Sequence, residues 1–153
     1  MRDFHLRFFI ERRWPDGIEE LIEIEDENIL WAPEIAGAYV LGANQGTMFS
    51  YPWGNSPIYY IGQSRDLRKK LAEHRKYILL AKDDRGEQRW WPRYQYGASF
   101  GATVAWYLGR GSQFAHRLEY DLVTSFYEMY GSIPLANNRW PAKLRPVHGT
   151  DEG

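Results

Sequence analysis

Two tyrosine-bearing segments, a basic stretch and a separate glutamate are the parts of this sequence whose side chains could do chemistry together. Residues 58–64 read IYYIGQS and continue directly into RDLRKKLAEHRKY. Hydrolysis of a phosphodiester requires a base that deprotonates water, a cation that neutralises phosphate charge and a metal ion that stabilises the leaving oxygen. A phenol could be the base, a basic side chain the cation, and a carboxylate could hold the metal ion. Phosphoryl chemistry is therefore one hypothesis for the sequence.

The phenols in question belong to Tyr39 and Tyr60, which we predict to lie on neighbouring strands. A phenol with an ordinary pKa of about 10 needs a cationic environment before it can act as a base near neutrality. Gly62 has no Cβ, so the backbone there could approach a phosphate at the N-terminus of the following helix. Ser64 or Asp66 could cap that helix.

The charge is divided unevenly along the chain. Residues 1–34 hold ten acidic and four basic side chains, whereas the remainder carries a net charge of +5. Residues 65–76 alone hold six basic side chains, including Arg65, Arg68 and Lys70, against two acidic ones. Such a local excess can attract a polyanion, although a solvated helix face explains it equally well.

Aromatic and cationic residues alternate in RWWPRY, with Arg89 and Arg93 beside the tryptophans. This pattern is typical of a surface that stacks on bases or contacts a groove of DNA. The alternative is that one or both tryptophans cap the core. We expect residues 82–99 to form an exposed loop, because Gly86, Pro92 and Gly97 interrupt them.

The elements that must position these residues are a strand over GAYVLG, a second over PIYYIG and a third over ATVAWYLG, joined by loops such as 43–56. A helix should run from about residue 67 to 81, with Leu67, Leu71, Ile78 and Ala81 buried and His74 on the same stripe. A second helix should begin near a Ser112 cap and end at Gly131, with Phe114, Leu118, Leu122 and Phe126 buried. For residues 1–34, a hairpin is favoured over a helical turn.

A length of 153 residues with 44% apolar side chains is enough for one compact domain. The sequence has no cysteine, which excludes disulfides and thiolate metal sites and suits a reducing cytoplasm. Nothing in it resembles a signal peptide or a membrane span, so no membrane partner is expected.

The order of these elements and residues resembles the GIY-YIG nuclease superfamily. The resemblance covers about residues 35–140: GAY at 37–39, YIG at 60–62, a run that ends in a basic residue and a histidine, then a glutamate at 119 and an asparagine at 137. It implies an α+β fold with a small three-stranded antiparallel sheet flanked by helices, here with an N-terminal hairpin extension. We expect an acidic extension over 1–34, the nuclease-like domain over 35–148 and a disordered tail over 149–153.

The resemblance also implies roles. Tyr39, Tyr60, Lys70, His74 and Glu119 would be catalytic, and Glu119 would hold Mg²⁺ or Mn²⁺. Contacts to phosphate or DNA would come from a larger set: Gly62, Ser64, Arg65, Arg68, Arg89, Arg93 and Asn137. Lys70 departs from the family, which normally has arginine there, and a mobile ammonium does not reproduce a planar guanidinium fork.

Each residue also has an ordinary structural interpretation. His74 could be a satisfied core histidine, Glu119 a solvated helix residue and Asn137 a loop amide, for which Asn138 is the alternative match. For the whole protein, a metal-dependent DNA endonuclease is the first hypothesis, with RNA not excluded as substrate. A weakened module that only binds nucleic acid or a protein is the second, and a homodimer is a further possibility.

Overall fold

The chain forms a central antiparallel sheet with helices on both faces. The computed structural model describes residues 21–44, 46–109, 111–138 and 140–141, without the side chain of Ser112. The strands are β1 (Ile22–Glu23), β2 (Gly37–Gly42), β3 (Phe49–Tyr51), β4 (Gly54–Ser56), β5 (Ile58–Ser64) and β6 (Thr103–Leu108). The helices are α1 (Leu67–Asp83), α2 (Pro92–Phe100) and α3 (Ser112–Tyr130), and a 3-10 helix spans Glu27–Trp31.

The predicted α+β class is confirmed, but the predicted sheet of three strands is too small. The main sheet has the order β1-β6-β2-β5, and β3 pairs with β4 in a separate hairpin. The fourth strand is β1, where Ile22 pairs with Val104. This strand lies in the segment for which the sequence favoured a hairpin, and its pairing with β6 adds it to the edge of the main sheet.

Side chains alternate between the two faces of the sheet, as the period of two requires. On one face, Ala38, Val40, Ala105 and Tyr107 join the core cluster that contains Leu118, Leu122 and Phe126 of α3. On the other, Tyr39, Leu41, Val104 and Trp106 join the cluster of Leu67, Leu71 and Ile78 from α1 and Tyr94 from α2. The sheet is therefore buried on both sides, which explains the short, continuously apolar strands.

The prediction for α1 is confirmed. The helix buries Leu67, Leu71, His74, Ile78 and Ala81. At its start, the Asp66 side chain accepts a hydrogen bond from the backbone N–H of Lys69 at 3.1 Å, so Asp66 is the cap. Ser64 instead forms a local turn, because its hydroxyl accepts from the Asp66 backbone N–H and donates to the Asp66 carbonyl.

Helix α2 occupies the second half of the region that we expected to be an exposed loop, so that expectation is wrong for residues 92–99, whereas residues 84–91 do form a loop. Proline is well tolerated in the first turn of a helix, and Pro92 is the first residue of this one. Gly97 allows α2 to pack tightly, because an added Cβ would lie 2.5 Å from Ile78 Cδ1. Pro92 and Gly97 interrupt the sequence pattern, but in the structure Pro92 begins the helix and Gly97 allows its close contact with α1.

Two expectations about α3 also need correction. The helix begins at Ser112, so Gly111 rather than Ser112 occupies the cap position, and Phe114 is 40% exposed. The buried stripe starts one residue later, at Ala115, and continues through Leu118, Leu122 and Phe126. The predicted stop is confirmed: Gly131 has φ 80° and ψ 9°, a left-handed conformation that favours glycine.

The loop after α3 completes the free edge of β5. Asn137 accepts from the Ile61 backbone N–H at 3.0 Å and donates to the Ile61 carbonyl at 2.9 Å. The Ala136 backbone N–H also donates to the Tyr59 carbonyl at 2.8 Å. An edge strand otherwise presents unpaired backbone groups, so this loop acts as a partial neighbouring strand and fixes the position of β5.

Two further expectations concern the acidic N-terminal region and the C-terminal tail. The proposed hairpin over residues 1–34 lies mostly outside the described residues, and the disordered tail over 149–153 lies wholly outside them. The expected loop over residues 43–56 is wrong in part, since it contains the β3–β4 hairpin. None of the three helices in the described part of the chain has the length and apolar character that a membrane crossing requires.

Candidate functional site

Three polar rings meet between the sheet and helices α1 and α2. Tyr39 on β2, Tyr60 on β5 and His74 on α1 have ring centres 6.1 Å (Tyr39–Tyr60), 5.3 Å (Tyr39–His74) and 5.8 Å (Tyr60–His74) apart. Tyr39 Oη lies 2.8 Å from His74 Nε2, which is a hydrogen bond. Three of the residues singled out in the sequence are therefore brought into one cluster.

Gly62 makes this cluster possible. It pairs with Tyr39 across the two strands. An added Cβ would lie 2.6 Å from Tyr39 Oη, 2.7 Å from Tyr39 Cζ and 2.9 Å from Tyr60 Cε2. The absence of a side chain at this position thus provides the space for both phenols. The sequence suggested that this glycine lets the backbone approach a phosphate, and the structure gives it a packing role.

Tyr39 is the ring that joins the other two. Its hydroxyl shares a hydrogen bond with His74 Nε2, and its ring packs against that of Tyr60. His74 Nδ1 is buried and has no hydrogen-bond partner among the described residues. His74 is therefore held in the cluster through its bond to Tyr39.

His74 is neutral in this environment. Burial, followed by the charges of Arg93 and Lys70, lowers its pKa to about 3. A neutral imidazole carries a single ring proton, and its Nε2 is hydrogen-bonded to the Tyr39 hydroxyl. His74 therefore fixes the Tyr39 hydroxyl rather than supplying charge.

Tyr60 is the more accessible of the two phenols. Tyr39 is 2% exposed, whereas Tyr60 is half-buried. Burial raises the pKa of both, and it raises that of Tyr39 well above 10. For Tyr60 the charge of Arg93 opposes this rise, and the pKa remains above 10. Of the two, Tyr60 is therefore better placed to lose a proton.

Arg93 brings a guanidinium to the cluster from α2. Its Cζ lies 5.7 Å from the ring centre of Tyr60 and 5.0 Å from that of Tyr94. Its charge lowers the pKa of Tyr39, Tyr60 and His74 alike. The sequence suggested Arg93 as a DNA contact in a loop, whereas its position on a helix beside Tyr60 required the fold.

Glu119 contributes the opposite charge from α3. It is half-buried, and burial raises the pKa of its carboxyl to about 7. Its charge raises the pKa of both Tyr39 and Tyr60, so the carboxyl shares the electrostatic environment of the phenols. Among the described residues, no cation or hydrogen-bond donor is paired with it. An unpaired, half-buried carboxylate is costly, and such groups are concentrated at functional sites.

The basic residues of α1 are divided between the site and other contacts. Lys70 lies close enough to His74 to lower its pKa, and its Nζ is 3.3 Å from Glu73 Oε1. Arg68 points towards the N-terminal region, where its Nε donates to the Ala32 carbonyl at 2.7 Å and its guanidinium lies over the Trp31 ring. Arg68 is thus not brought to the cluster.

The remaining predicted contacts lie around the cluster. Arg65 and Arg89 are exposed, Ser64 forms the turn before α1, and Asn137 holds β5. Tyr94, which the sequence did not indicate, is 5% exposed and packs on His74 with ring centres 5.4 Å apart. Its helix was interpreted as a loop, so no signal placed it near His74.

A cavity of about 930 Å³ lies elsewhere, next to β1 and the 3-10 helix. Glu23, Glu25 and Asp26 line it, together with Trp31 and Trp106. Its carboxylates would repel a phosphate. The cluster around Tyr60 is therefore the better candidate for phosphoryl chemistry.

Comparisons with known proteins extend this description to related structures. No family model and no curated protein matches the sequence. Solved structures to which the chain is similar include those of the GIY-YIG N-terminal endonuclease domain of UvrC from Thermotoga maritima. A tyrosine point mutant bound to its catalytic divalent cation is 20% identical and covers 72% of this chain and 92% of that chain, with a TM-score of 0.43.

The magnesium-bound form of that domain is 22% identical and covers 72% of this chain and 92% of its own, with a TM-score of 0.42. The chain is similar to GIY-YIG endonuclease domains. This is the superfamily whose motifs the sequence resembles.

Replacing Gly62 by alanine tests the packing of the phenols. The added methyl group would displace Tyr39 or open the β2–β5 pairing, so the free energy of unfolding should fall by on the order of 1–3 kcal/mol. Gly54→Ala is the matched control, because its Cβ would meet Tyr130 at 3.5 Å, an ordinary contact. Urea denaturation measures both. Equal stability of the two variants would contradict the account.

The raised pKa of Glu119 predicts a pH-dependent effect of Glu119→Gln on the metal-free protein. A carboxyl whose pKa is about 7 when folded and 4.5 when unfolded stabilises the fold below pH 4.5, and this stabilisation is lost as the pH rises through 7. The variant lacks this loss. The free energy of unfolding of Glu119→Gln minus that of wild type should therefore increase between pH 5 and pH 8, by on the order of 1–3 kcal/mol.

Urea denaturation at the two pH values measures the difference between the two proteins, and contributions from other titrating groups cancel in it. Glu128→Gln on an exposed position of the same helix is the control. If Glu119→Gln and Glu128→Gln show the same dependence on pH, the Glu119 carboxyl is not buried as described.

Proposed function

We propose that this protein is a divalent-metal-dependent endonuclease that hydrolyses phosphodiester bonds of DNA. The observation that carries the proposal is the packing of two phenols, Tyr39 and Tyr60, with ring centres 6.1 Å apart, beside the Arg93 guanidinium 5.7 Å from the Tyr60 ring centre. The half-buried Glu119 carboxyl adds the opposite charge. A base, a cation and an oxygen ligand for a metal are needed together for this reaction, and all three have candidates at one place.

Tyr60 acts as the base that deprotonates the attacking water. Its hydroxyl first gives its proton to solvent, and the phenolate then takes a proton from the water that attacks phosphorus. The phenolate charge is stabilised by the Arg93 guanidinium, whose Cζ lies 5.7 Å from the ring centre. His74 holds the neighbouring Tyr39 hydroxyl in place through their hydrogen bond. A base whose partners are fixed in advance needs little reorganisation when charge develops.

Arg93 and Lys70 neutralise the charge of the phosphate. The family's usual arginine is replaced by Lys70, whose ammonium is partly engaged by Glu73 at 3.3 Å. Arg93 supplies a planar guanidinium from a different helix, and guanidinium can bind two phosphate oxygens at once. The departure at position 70 is thus compensated by a residue that lies beside Tyr60.

Glu119 fits a single hard cation such as Mg²⁺ or Mn²⁺. In the described part of the chain, no group of three or more histidine, cysteine, aspartate or glutamate side chains could hold a metal. Mg²⁺ often takes one or two carboxylates, with waters and substrate phosphate as its other ligands. When bound, such a cation neutralises charge on the phosphate and reverses the sign of the field that Glu119 exerts on the phenols.

DNA is the proposed partner, because cationic and aromatic side chains surround Tyr60. Arg65 and Arg89 are exposed and available to phosphates. Gly62, Ser64 and Asn137 act through the protein itself: Gly62 leaves room for the phenols, Ser64 forms the turn before α1, and Asn137 holds β5. The absence of cysteine suits the cytoplasm as the place of action. A homodimer would place two such sites on two strands.

A non-enzymatic binding module is the second candidate, and the Lys70–Glu73 ion pair is the observation that favours it. An ammonium already paired with a carboxylate contributes less to a phosphate. In that case the scaffold would bind DNA without cutting it.

Incubation of supercoiled plasmid with the protein and Mg²⁺ or Mn²⁺ decides between the candidates. Wild type should nick or linearise the plasmid, and Tyr60→Phe and Glu119→Gln should each lower the rate by at least ~10²-fold, as the loss of a base or of a key electrostatic group does. Lys70→Arg should retain or increase cleavage.

Tyr127→Phe and Glu128→Gln are matched controls, since both residues are exposed on α3. They should cut like wild type. If wild type shifts DNA in a gel but leaves the plasmid intact with every cation, the binding module is correct. If Tyr60→Phe cuts like wild type, Tyr60 is not the base.

A further inference from the structure

A cleft of about 350 Å³ adjoins the cluster on the side of α2. We name it the aromatic cleft, and its walls are mostly rings and guanidinium groups: Tyr77, Trp90, Trp91, Tyr94, Arg89 and Arg93. This volume is at the lower end of the roughly 300–1,000 Å³ range of small-ligand pockets. The cleft is therefore suited to a flat heterocycle rather than to a long segment of chain.

One wall of the cleft is rigid. The Trp90 Nε1–H donates to Asp84 Oδ2 at 2.6 Å. Asp84 also accepts from the backbone N–H groups of Glu87 and Gln88, at 2.9 and 3.0 Å. These bonds hold the loop before α2 in place, and the Trp90 ring packs on Tyr77 with centres 6.4 Å apart.

Trp91 differs from Trp90, because it is 56% exposed. Its ring faces the Arg93 guanidinium at 5.3 Å. An indole stacked on a guanidinium and otherwise open to solvent offers a second face to a ligand, and aromatic side chains that bind single-stranded nucleic acid use such a face.

Arg93 is a shared wall of the cleft and the Tyr60 cluster. Its Cζ lies 5.7 Å from the Tyr60 ring centre and 5.3 Å from the Trp91 ring centre. A nucleotide whose phosphate lies at Arg93 and Tyr60 would therefore have its base next to the cleft. Glu73 also lines the cleft, and its carboxylate disfavours a second phosphate there while it can accept from a base amino group.

We propose that the aromatic cleft receives one unstacked nucleobase of the DNA whose phosphodiester lies at Tyr60. This inference rests on the proposed function. It specifies the substrate as DNA with an unpaired nucleotide beside the scissile bond. Unstacking is least costly for a base that is already unpaired, so the cleft selects for such DNA over perfectly paired duplex.

The test measures binding without cleavage, in calcium or without a divalent cation. The full chain is titrated into two fluorescently labelled duplexes, identical except for one unpaired adenine, and Kd is read from anisotropy. Wild type should bind the bulged duplex more tightly. Trp91→Ala should weaken binding to the bulged duplex on the order of 5- to 100-fold, the loss of one stacked base, and leave the paired duplex unchanged.

Trp91→Phe should restore most of the preference, because it keeps a ring at this position. Trp53→Ala is the matched control, since Trp53 is 65% exposed on the β3–β4 turn and packs on Tyr127 of α3. It should bind both duplexes like wild type. Equal affinity of wild type for the two duplexes, or an equal loss on both in Trp91→Ala, overturns the proposal. A failed plasmid assay would not alter this readout, so the two proposals fail separately.

Discussion

The hydrogen bond between Tyr39 and His74 is the interaction on which the candidate site depends. It joins the central strand of the sheet to α1 at 2.8 Å, inside a region from which water is excluded. A buried hydroxyl or imidazole without a partner would destabilise the fold, so each ring requires the other. Gly62 opens the space that lets the two meet, and Asn137 keeps β5 in the register that places Gly62 there.

This packing has an electrostatic consequence that a solvated site would lack. Burial raises the pKa of the phenols and of Glu119 and lowers that of His74, so every group in the cluster favours its neutral form. The positive charge of Arg93 opposes the rise in the pKa of Tyr60. The negative charge of Glu119 adds to the rise, and a cation bound at its carboxyl would reverse this contribution. The site is thus arranged so that a cation, rather than the protein alone, would bring it to its charged state.

Much of the fold could be predicted from the sequence. The apolar stripe of α1, including His74, follows from a period of 3.6, and the three main strands follow from short apolar runs between glycines. The helix α2 was missed because Pro92 and Gly97 are breakers in most settings, and here one begins the helix and the other allows contact with Ile78. The strand β1 lies in the segment where a hairpin was favoured, but its pairing with β6 depends on tertiary contacts. Phe114 lies one residue before the stripe that is buried.

The candidate site could be predicted from the sequence only in part. Tyr39, Tyr60 and His74 were indicated by motif resemblance, and their meeting requires strand register that no single segment encodes. Arg93 and Tyr94 could not be placed, because their position depends on how α2 packs against α1. Conversely, the charge count on α1 suggested Arg68 as a contact to phosphate, but tertiary contacts with Ala32 and Trp31 engage it elsewhere.

The most direct test of the central claim is nuclear magnetic resonance of the protein with ¹³Cζ-labelled tyrosine, titrated with Mn²⁺. A paramagnetic ion held by Glu119 beside the phenols should broaden the Tyr39 and Tyr60 signals first, while Tyr51, which donates to the Ile58 carbonyl in the other core cluster, stays sharp. In Glu119→Gln all three should stay sharp at the same Mn²⁺ concentration. If the Tyr39 and Tyr60 signals stay sharp in wild type, or broaden equally in the variant, the phenols and Glu119 do not form one metal-binding site.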